Sequence, residues 1–239
     1  MDDSELAALI ADGAKRLGVS LPPGAPASFF KYFTYLEQQS HSMNLTSITG
    51  VKDVAQLHFL DSIALLAAAP FQGKRVIDIG SGAGFPGVPL LIAEPSISLT
   101  LLDASVKRVA FLTRLCAALS VSAAFARARA EEAAHLPGMR EQFDVAVSRA
   151  VAHLNVLCEL CLPYVRPGGF FLAMKGIDSS PEVSQALSAI EKLGAAPPEL
   201  MDYTIPGTEI VHRALVIRKV SPTPAVYPRR YARISKSPL

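Results

Sequence analysis

The chain has no tryptophan, only three cysteines, and an aromatic content of 7% over 239 residues. Cys116, Cys158 and Cys161 are an odd set in a chain long enough to build its own core. A disulfide framework is therefore excluded, and reduced thiols in a cytosol are expected. Cys158-Glu159-Leu160-Cys161 has the spacing of half a zinc site, but no second cysteine pair exists to complete it. The two thiols are read as a helical core pair, with no metal expected. Three closely spaced cysteines for radical chemistry are absent as well. No window approaches the roughly 20 uncharged apolar residues of a bilayer span. Met1-Asp2-Asp3-Ser4-Glu5 is acidic where a signal peptide would be basic. The reading is a cytoplasmic, monomeric protein with no membrane partner.

Acid is also missing at one end. None of the 21 acidic residues follows Glu209, whereas seven of the 23 basic residues do: Arg213, Arg218, Lys219, Arg229, Arg230, Arg233 and Lys236. The last thirty residues thus carry +7 and the first 209 carry −5. Such a block is either a solvated tail or a phosphate-binding strip. Tyr227 and Tyr231 interleave with the cations, which suits a surface meeting stacked bases.

What is abundant is apolar. A 50% hydrophobic composition supports one substantial core and excludes general disorder. Residues 1 to 70 read as a helical extension: Ser4 to Leu17, then Ser28 to Gln39 after a Pro-rich break, then a helix capped by Asp53 that ends before Pro70. From Arg75 short Val/Ile/Phe/Leu runs alternate with helical stretches. Arg75 to Ile79, Leu99 to Leu102, Val121 to Ala126, Phe143 to Val147 and Phe170 to Met174 are predicted strands of a doubly wound, mostly parallel α/β sheet over 71–220. A helix from Pro181 to Leu193 and two more strands, Glu199 to Ile205 and Val211 to Val220, follow. Ser221 to Pro228 looks like a linker into a basic tail, 221–239.

Val76-Ile77-Asp78-Ile79 runs into Gly80, Gly82 and Gly84, with a helix starting near Pro86. Glycines here allow left-handed backbone and let a ligand lie against free amides at a helix N-terminus. Gly82-Ala83-Gly84-Phe85-Pro86-Gly87 also fits the dinucleotide fingerprint, with Asp103 at ribose-binding distance. Three features favour a methyl donor instead. The glycines follow an acid-tipped strand as Asp-x-Gly-x-Gly-x-Gly, so Asp78 can take the ammonium group of S-adenosyl-L-methionine. Leu160 to Lys175, with Val165-Arg166-Pro167-Gly168-Gly169, resembles the helix, Pro-Gly-Gly turn and fifth strand of class I methyltransferases. A dehydrogenase would need a second domain, for which no chain remains. Asp103 is then expected on both ribose hydroxyls, or else capping a helix before Ser105. Ala130 and Glu131, after the third strand, are expected near adenine, or Glu131 simply opens a short helix.

Asn44-Leu45-Thr46-Ser47-Ile48, His58-Phe59-Leu60-Asp61-Ser62, Gly80 to Gly87, Ser148-Arg149-Ala150, Lys175-Gly176 and Tyr227-Pro228-Arg229-Arg230 resemble the glucose-inhibited division protein B family. These are bacterial 16S ribosomal RNA guanine-N7 methyltransferases. The resemblance runs from about Asn44 to the last residue. It implies methyl transfer to N7 of one guanosine in the decoding-region loop of 16S rRNA, on free RNA or the small ribosomal subunit. It also implies donor contacts at Gly80, Phe85, Ala130, Glu131 and Arg149. The family continues with a glycine and a proline where this chain has Ala232 and Ile234.

Guanine N7 has an in-plane lone pair and no proton, so alignment and electrostatics suffice. The motifs used on exocyclic amines and on C5 of pyrimidines are absent, as this chemistry permits. Arg149 and Lys175 are the candidate catalytic residues. Arg149 is expected on the donor carboxylate or a phosphate, because a bidentate grip on O6 and N7 would block the reacting atom. Lys175 is expected on RNA phosphate or the base, although a 2′-O-methyltransferase would use it to deprotonate ribose. His58, Asp61 and Ser62 share one helix face, either bracing the glycine loop or touching substrate. Arg229, Arg230, Arg233 and Lys236 are the expected RNA contacts. A small-molecule methyltransferase is the other enzymatic alternative, and a non-catalytic RNA-binding factor the non-enzymatic one.

Overall fold

Two amphipathic helices open the chain, Asp3–Arg16 and Ala25–Met43. Leu6 and Ile10 on the first, and Phe29, Tyr32 and Leu36 on the second, fall one or two turns apart and are almost fully buried. The second helix starts earlier than its Pro-rich lead suggests, because Pro26 sits in its first turn, where a missing N–H costs nothing. The computed structural model describes residues 3–43, 45–149 and 152–239. Asn44 and Ala150, both part of the segments carrying the resemblance, lie outside the described residues.

The third helical stretch, residues 51–68, changes pitch midway. It is α-helical at Val51–Val54, π-helical over Ala55–Leu60, and α-helical again at Asp61–Ile63 and Leu65–Ala68. Asp53 does not cap it. Gly50 occupies the cap with φ 92°, and Asp53 lies inside the first turn, where its charge suits the helix dipole. The wider π turn carries His58 and leads into Asp61.

Seven strands follow: β1 Arg75–Ile79, β2 Ser98–Asp103, β3 Ala124–Arg127, β4 Phe143–Arg149, β5 Val165–Gly176, β6 Glu199–Thr204 and β7 Val211–Arg218. They form one sheet in the order β3-β2-β1-β4-β5-β7-β6. All neighbours are parallel except β7, which is antiparallel to both β5 and β6. Two strand starts lie three residues or more from the sequence reading. Val121 belongs to the end of the helix Val106–Leu119, its N–H bonding back to the Cys116 carbonyl past Ser120 in the left-handed region. Pro167-Gly168-Gly169 is not a turn before β5 but a bulge within it. The pairing jumps from Phe143↔Val165 to Val145↔Phe170, and a Cβ on Gly169 would collide with the Asp144 carbonyl oxygen.

The sheet separates two apolar clusters. Val76, Leu101 and Phe170 pack with the three N-terminal helical segments. Ile77, Ile79 and Phe171 face the helices Leu154–Cys161 and Ser180–Lys192. Cys158 and Cys161 lie fully buried in that second cluster, with burial raising both thiols above their ordinary range. Strand order reverses between β1 and β4, so the loops leaving their C-terminal ends diverge and open a crevice.

Residues 221–228 are not a linker. Arg140 donates to the carbonyls of Thr223 (2.7 Å) and Tyr227 (2.9 Å), and His135 Nε2 lies 2.9 Å from the Pro228 carbonyl. Lys219, 1% exposed, donates to Glu141, Leu162, Val165 and Thr223 within 3.1 Å. The chain ends in the short helix Tyr231–Lys236, pinned by Ile234 at 0% exposure. The departure from the family at Ala232 and Ile234 therefore falls in a packed helix, with Ile234 facing the core. Among the described residues, no helix is long and apolar enough to cross a membrane.

Candidate active site

The glycine turn is shaped by three left-handed glycines, Gly80, Gly82 and Gly84, with φ of 74°, 56° and 102°. They serve different neighbours. At Gly82 nothing but the turn's own backbone lies near the missing Cβ, leaving the surface open. At Gly84 a Cβ would stand 2.6 Å from the Tyr32 hydroxyl, which donates to the Ala83 carbonyl at 2.6 Å. Gly84, expected to touch the donor, is thus demanded by the N-terminal helix behind the turn. Gly87 has its own requirement, since its N–H donates to Asp78 Oδ2 at 2.9 Å and a Cβ there would strike that carboxylate. Pro86 is the N-cap of the helix Gly87–Ala93 instead of lying inside its first turn.

Asp78 is fully buried, and burial pushes its carboxyl up to about 7. Its Oδ1 has no hydrogen-bond partner among the described residues. A buried carboxylate oxygen with no donor is what a ligand ammonium group would complete. Asp103, at the C-terminal end of β2, receives Gly82 N–H on Oδ2 (3.0 Å) and Ser105 N–H on Oδ1 (2.8 Å). Ser105 itself caps the helix Val106–Leu119, so both readings of Asp103 hold in part: it braces that helix start and the glycine turn, and each oxygen keeps a lone pair for a diol. Ala130 opens the short helix Ala130–Ala133, its carbonyl taken by Tyr164 at 2.6 Å, with Glu131 half-buried beside it. The described residues fit S-adenosylmethionine, which Asp78, Gly80, Gly82, Asp103 and the Ala130-Glu131 corner would hold.

Phe85 is 6% exposed and stacks on Tyr32 at 5.2 Å and 7°. The Arg149 guanidinium lies over it, 4.8 Å from the ring centroid. Arg149 leaves the end of β4 and donates to the Leu57 carbonyl at 3.1 Å and to His58 Nδ1 at 3.0 Å. His58 Nδ1 also lies 3.0 Å from the Leu57 carbonyl and Nε2 lies 2.8 Å from Thr46 Oγ1, so both ring nitrogens are engaged. Burial and the Arg149 charge push His58 down to about 4, which keeps it neutral. Asp61 Oδ2 lies 3.6 Å from Arg149, while its Oδ1 accepts from Tyr203 (2.7 Å) and His212 Nδ1 (2.8 Å). Ser62 is turned away, donating to the His58 carbonyl. Against the glycine loop, His58 packs on Phe85 at 4.4 Å, whereas Asp61 ties its helix to β4, β6 and β7, and both also line the cavity described next.

Lys175, near the end of β5, donates to the Ala152 carbonyl (2.8 Å) and Glu182 (2.7 Å). It still lines, with Arg149, His58, Asp61 and His212, a cavity of about 550 Å³ walled by apolar side chains. The C-terminal cations divide. Arg213 and Arg218 pair with Asp202 and Glu199 on the sheet surface, and Lys219 is buried. Arg229, expected on RNA, is instead bound to the fully buried Glu159, giving its N–H and Nε to Oε1 and Nη2 to Oε2 at 2.6–2.8 Å. Its fork is consumed by the core. Arg230, Arg233 and Lys236 remain exposed, with no partner among the described residues. Sequence reasoning missed Tyr32, Tyr203 and His212. A Glu159 among the leucines, valine and cysteines of the helix Leu154–Cys161 was a readable sign that a cation had to reach it.

The strand order, the acid-tipped β1 and its glycine turn define a class I S-adenosylmethionine-dependent methyltransferase. Solved structures with this fold include 1,6-didemethyltoxoflavin-N1-methyltransferase of Burkholderia thailandensis (TM-score 0.54, 16% identity, 84% of this chain and 92% of that one) and an S-adenosylmethionine-dependent O-methyltransferase of Thermotoga maritima (0.53, 13%, 79% and 72%). The chain belongs to the rRNA small subunit methyltransferase G family, whose profile matches residues 26–208. Ribosomal RNA small subunit methyltransferase G of Alkaliphilus oremlandii is 41% identical over 98% of this chain and 99% of its own length. Its counterpart in Caldanaerobacter subterraneus is 42% identical over 97% of both.

Proposed function

We propose that the chain transfers the methyl group of S-adenosylmethionine to N7 of a guanosine in the decoding-region loop of 16S rRNA, as a cytoplasmic monomer acting on the small subunit. The observation that carries this reading is a pocket of about 550 Å³ at the ends of β4 and β5 in which Lys175, the group a ribose-directed enzyme would use as its base, is already committed. Both ring nitrogens of His58 are engaged, Nδ1 by Arg149 and the Leu57 carbonyl and Nε2 by Thr46. Asp61 Oδ1 is filled by two donors. Lys175 presents an ammonium engaged by a carboxylate and a carbonyl.

Bound at the crevice, S-adenosylmethionine supplies an electrophilic methyl on a sulfonium. The protein's work is then placement. Asp78 takes the ammonium, Asp103 the ribose diol, and the open Gly80–Gly82 backbone lets the donor lie flat against the turn. Arg149, braced on Phe85 and the π turn, fixes the wall between donor crevice and base pocket and contributes positive charge near the RNA. Arg230, Arg233 and Lys236 add phosphate contacts outside it.

A 2′-O-methyltransferase would require Lys175 free to accept a proton, and its two donor contacts oppose that. Incubating small subunits lacking the mark with enzyme and labelled donor, digesting to nucleosides and weighing the product separates the two. N7-methylguanosine supports the proposal, and a 2′-O-methylnucleoside rejects it.

A further inference from the structure

We infer that His212 reads O6 of the target guanine, donating from Nε2 as an imidazolium. This rests on the guanine-N7 reading above and specifies how the base is chosen.

In the 550 Å³ pocket every other polar side chain is committed: Arg149 to Leu57 and His58, His58 also to Thr46, Asp61 to Tyr203 and His212, Lys175 to Glu182. His212 differs. Its side chain is 31% exposed and its Nδ1 lies 2.8 Å from Asp61 Oδ1, while Nε2 has no partner among the described residues. Tyr203 meets the ring edge-on at 87°, holding its plane. Because Asp61 only accepts, Nδ1 carries the proton, and Nε2 is bare in the neutral ring but a donor in the imidazolium.

The charged and titratable groups around it come from every neighbouring element. His58 lies on the π segment, Asp61 on the α-helical turn after it, Arg149 on β4, Lys175 on β5 and Tyr203 on β6. Arg213 beside it is turned to Asp202. The Asp61 hydrogen bond dominates and raises His212 above its ordinary 6.5, with burial and Arg149 opposing.

Guanine presents two acceptors on its major-groove edge, O6 and N7, whereas adenine places an amine donor where O6 would be. A single donor at O6 therefore selects guanine, rejects adenine and leaves the N7 lone pair free to react. An imidazolium backed by a carboxylate is nearly neutral as a pair, so it does not confront the cationic N7-methylated product with an unpaired positive charge.

The test compares wild type with His212→Asn, which keeps an amide N–H for Asp61 but has no Nε2, and with His212→Arg, which is permanently charged. The readout is kcat/KM for unmarked small subunits, measured at saturating donor so that Asp78 does not contribute, across about pH 6 to 9. Wild type should fall as pH rises through the raised His212 titration, above 6.5. His212→Asn should lose roughly ten- to a hundredfold at the low-pH plateau and lose the falling limb, with donor affinity by calorimetry unchanged. His212→Arg should show no falling limb. Retention of wild-type kcat/KM and the same limb in His212→Asn overturns the inference while leaving guanine-N7 transfer standing. Absence of N7-methylguanosine from the wild-type reaction overturns both.

Discussion

Arg229 provides the sharpest separation between a structural and an RNA-binding reading of the basic C-terminus. Its side chain is 12% exposed and Glu159 is 0% exposed, and three hydrogen bonds join them. Replacing Arg229 with Met strands a carboxylate inside the apolar helix Leu154–Cys161. Breaking one side of a buried pair costs about 3–5 kcal/mol. For a chain of this length each kcal/mol moves the melting temperature by about 2–4 °C, so a drop of roughly 6–20 °C is expected by calorimetry. Replacing Glu159 with Met as well should recover most of that loss, since an apolar pair of similar volume needs no partner charge. A surface phosphate contact behaves differently, leaving the melting temperature alone and reducing the salt dependence of RNA binding by about one charge. An unchanged melting temperature with weakened RNA binding in Arg229→Met would refute the reasoning.

Asp78→Asn should weaken donor binding yet raise the melting temperature of the ligand-free protein at pH 8. The folded pKa of Asp78 stands above its ordinary 3.8, so its stabilising protonated form is lost as pH rises through about 7. By the same linkage, donor affinity of the wild type should increase over about pH 6 to 8, as calorimetry can follow. Gly84→Ala should cost at least about 2 kcal/mol from its left-handed φ and the Tyr32 contact, and adding Tyr32→Phe should relieve only the steric part. Arg149→Ala should raise the His58 titration from about 4, as read by NMR, because one of the two influences lowering it is removed.

The sequence was most informative where chemistry is local. The acid, the three glycines and Phe85-Pro86-Gly87 are consecutive, so β1 and its turn can be read from a short window. Apolar strand runs placed β1, β2 and β4 nearly to the residue. Boundaries failed where tertiary contacts decide them, as at Val121, claimed by a helix end, and at Pro167-Gly168-Gly169, absorbed into β5 as a bulge. The base pocket was half legible. His58, Asp61, Arg149 and Lys175 drew notice as polar groups in otherwise apolar segments, but Tyr203 and His212 reach Asp61 from 142 and 151 residues away. Nothing in an alternating strand marks which polar residue will meet a buried carboxylate. Net charge misled for a related reason. The +7 block is mostly spent within the fold, on Asp202, Glu199, Glu141 and Glu159, leaving three exposed cations near the end of the chain.

The central claim is that this fold delivers a methyl group to guanine N7 in 16S rRNA. It is tested most directly by mapping N7-methylguanosine in ribosomal RNA from cells with and without the gene. The account expects one mark in the decoding-region loop that disappears with the gene and returns with a wild-type copy but not with Asp78→Ala. An unchanged pattern of N7-methylguanosine in the deleted strain would contradict it.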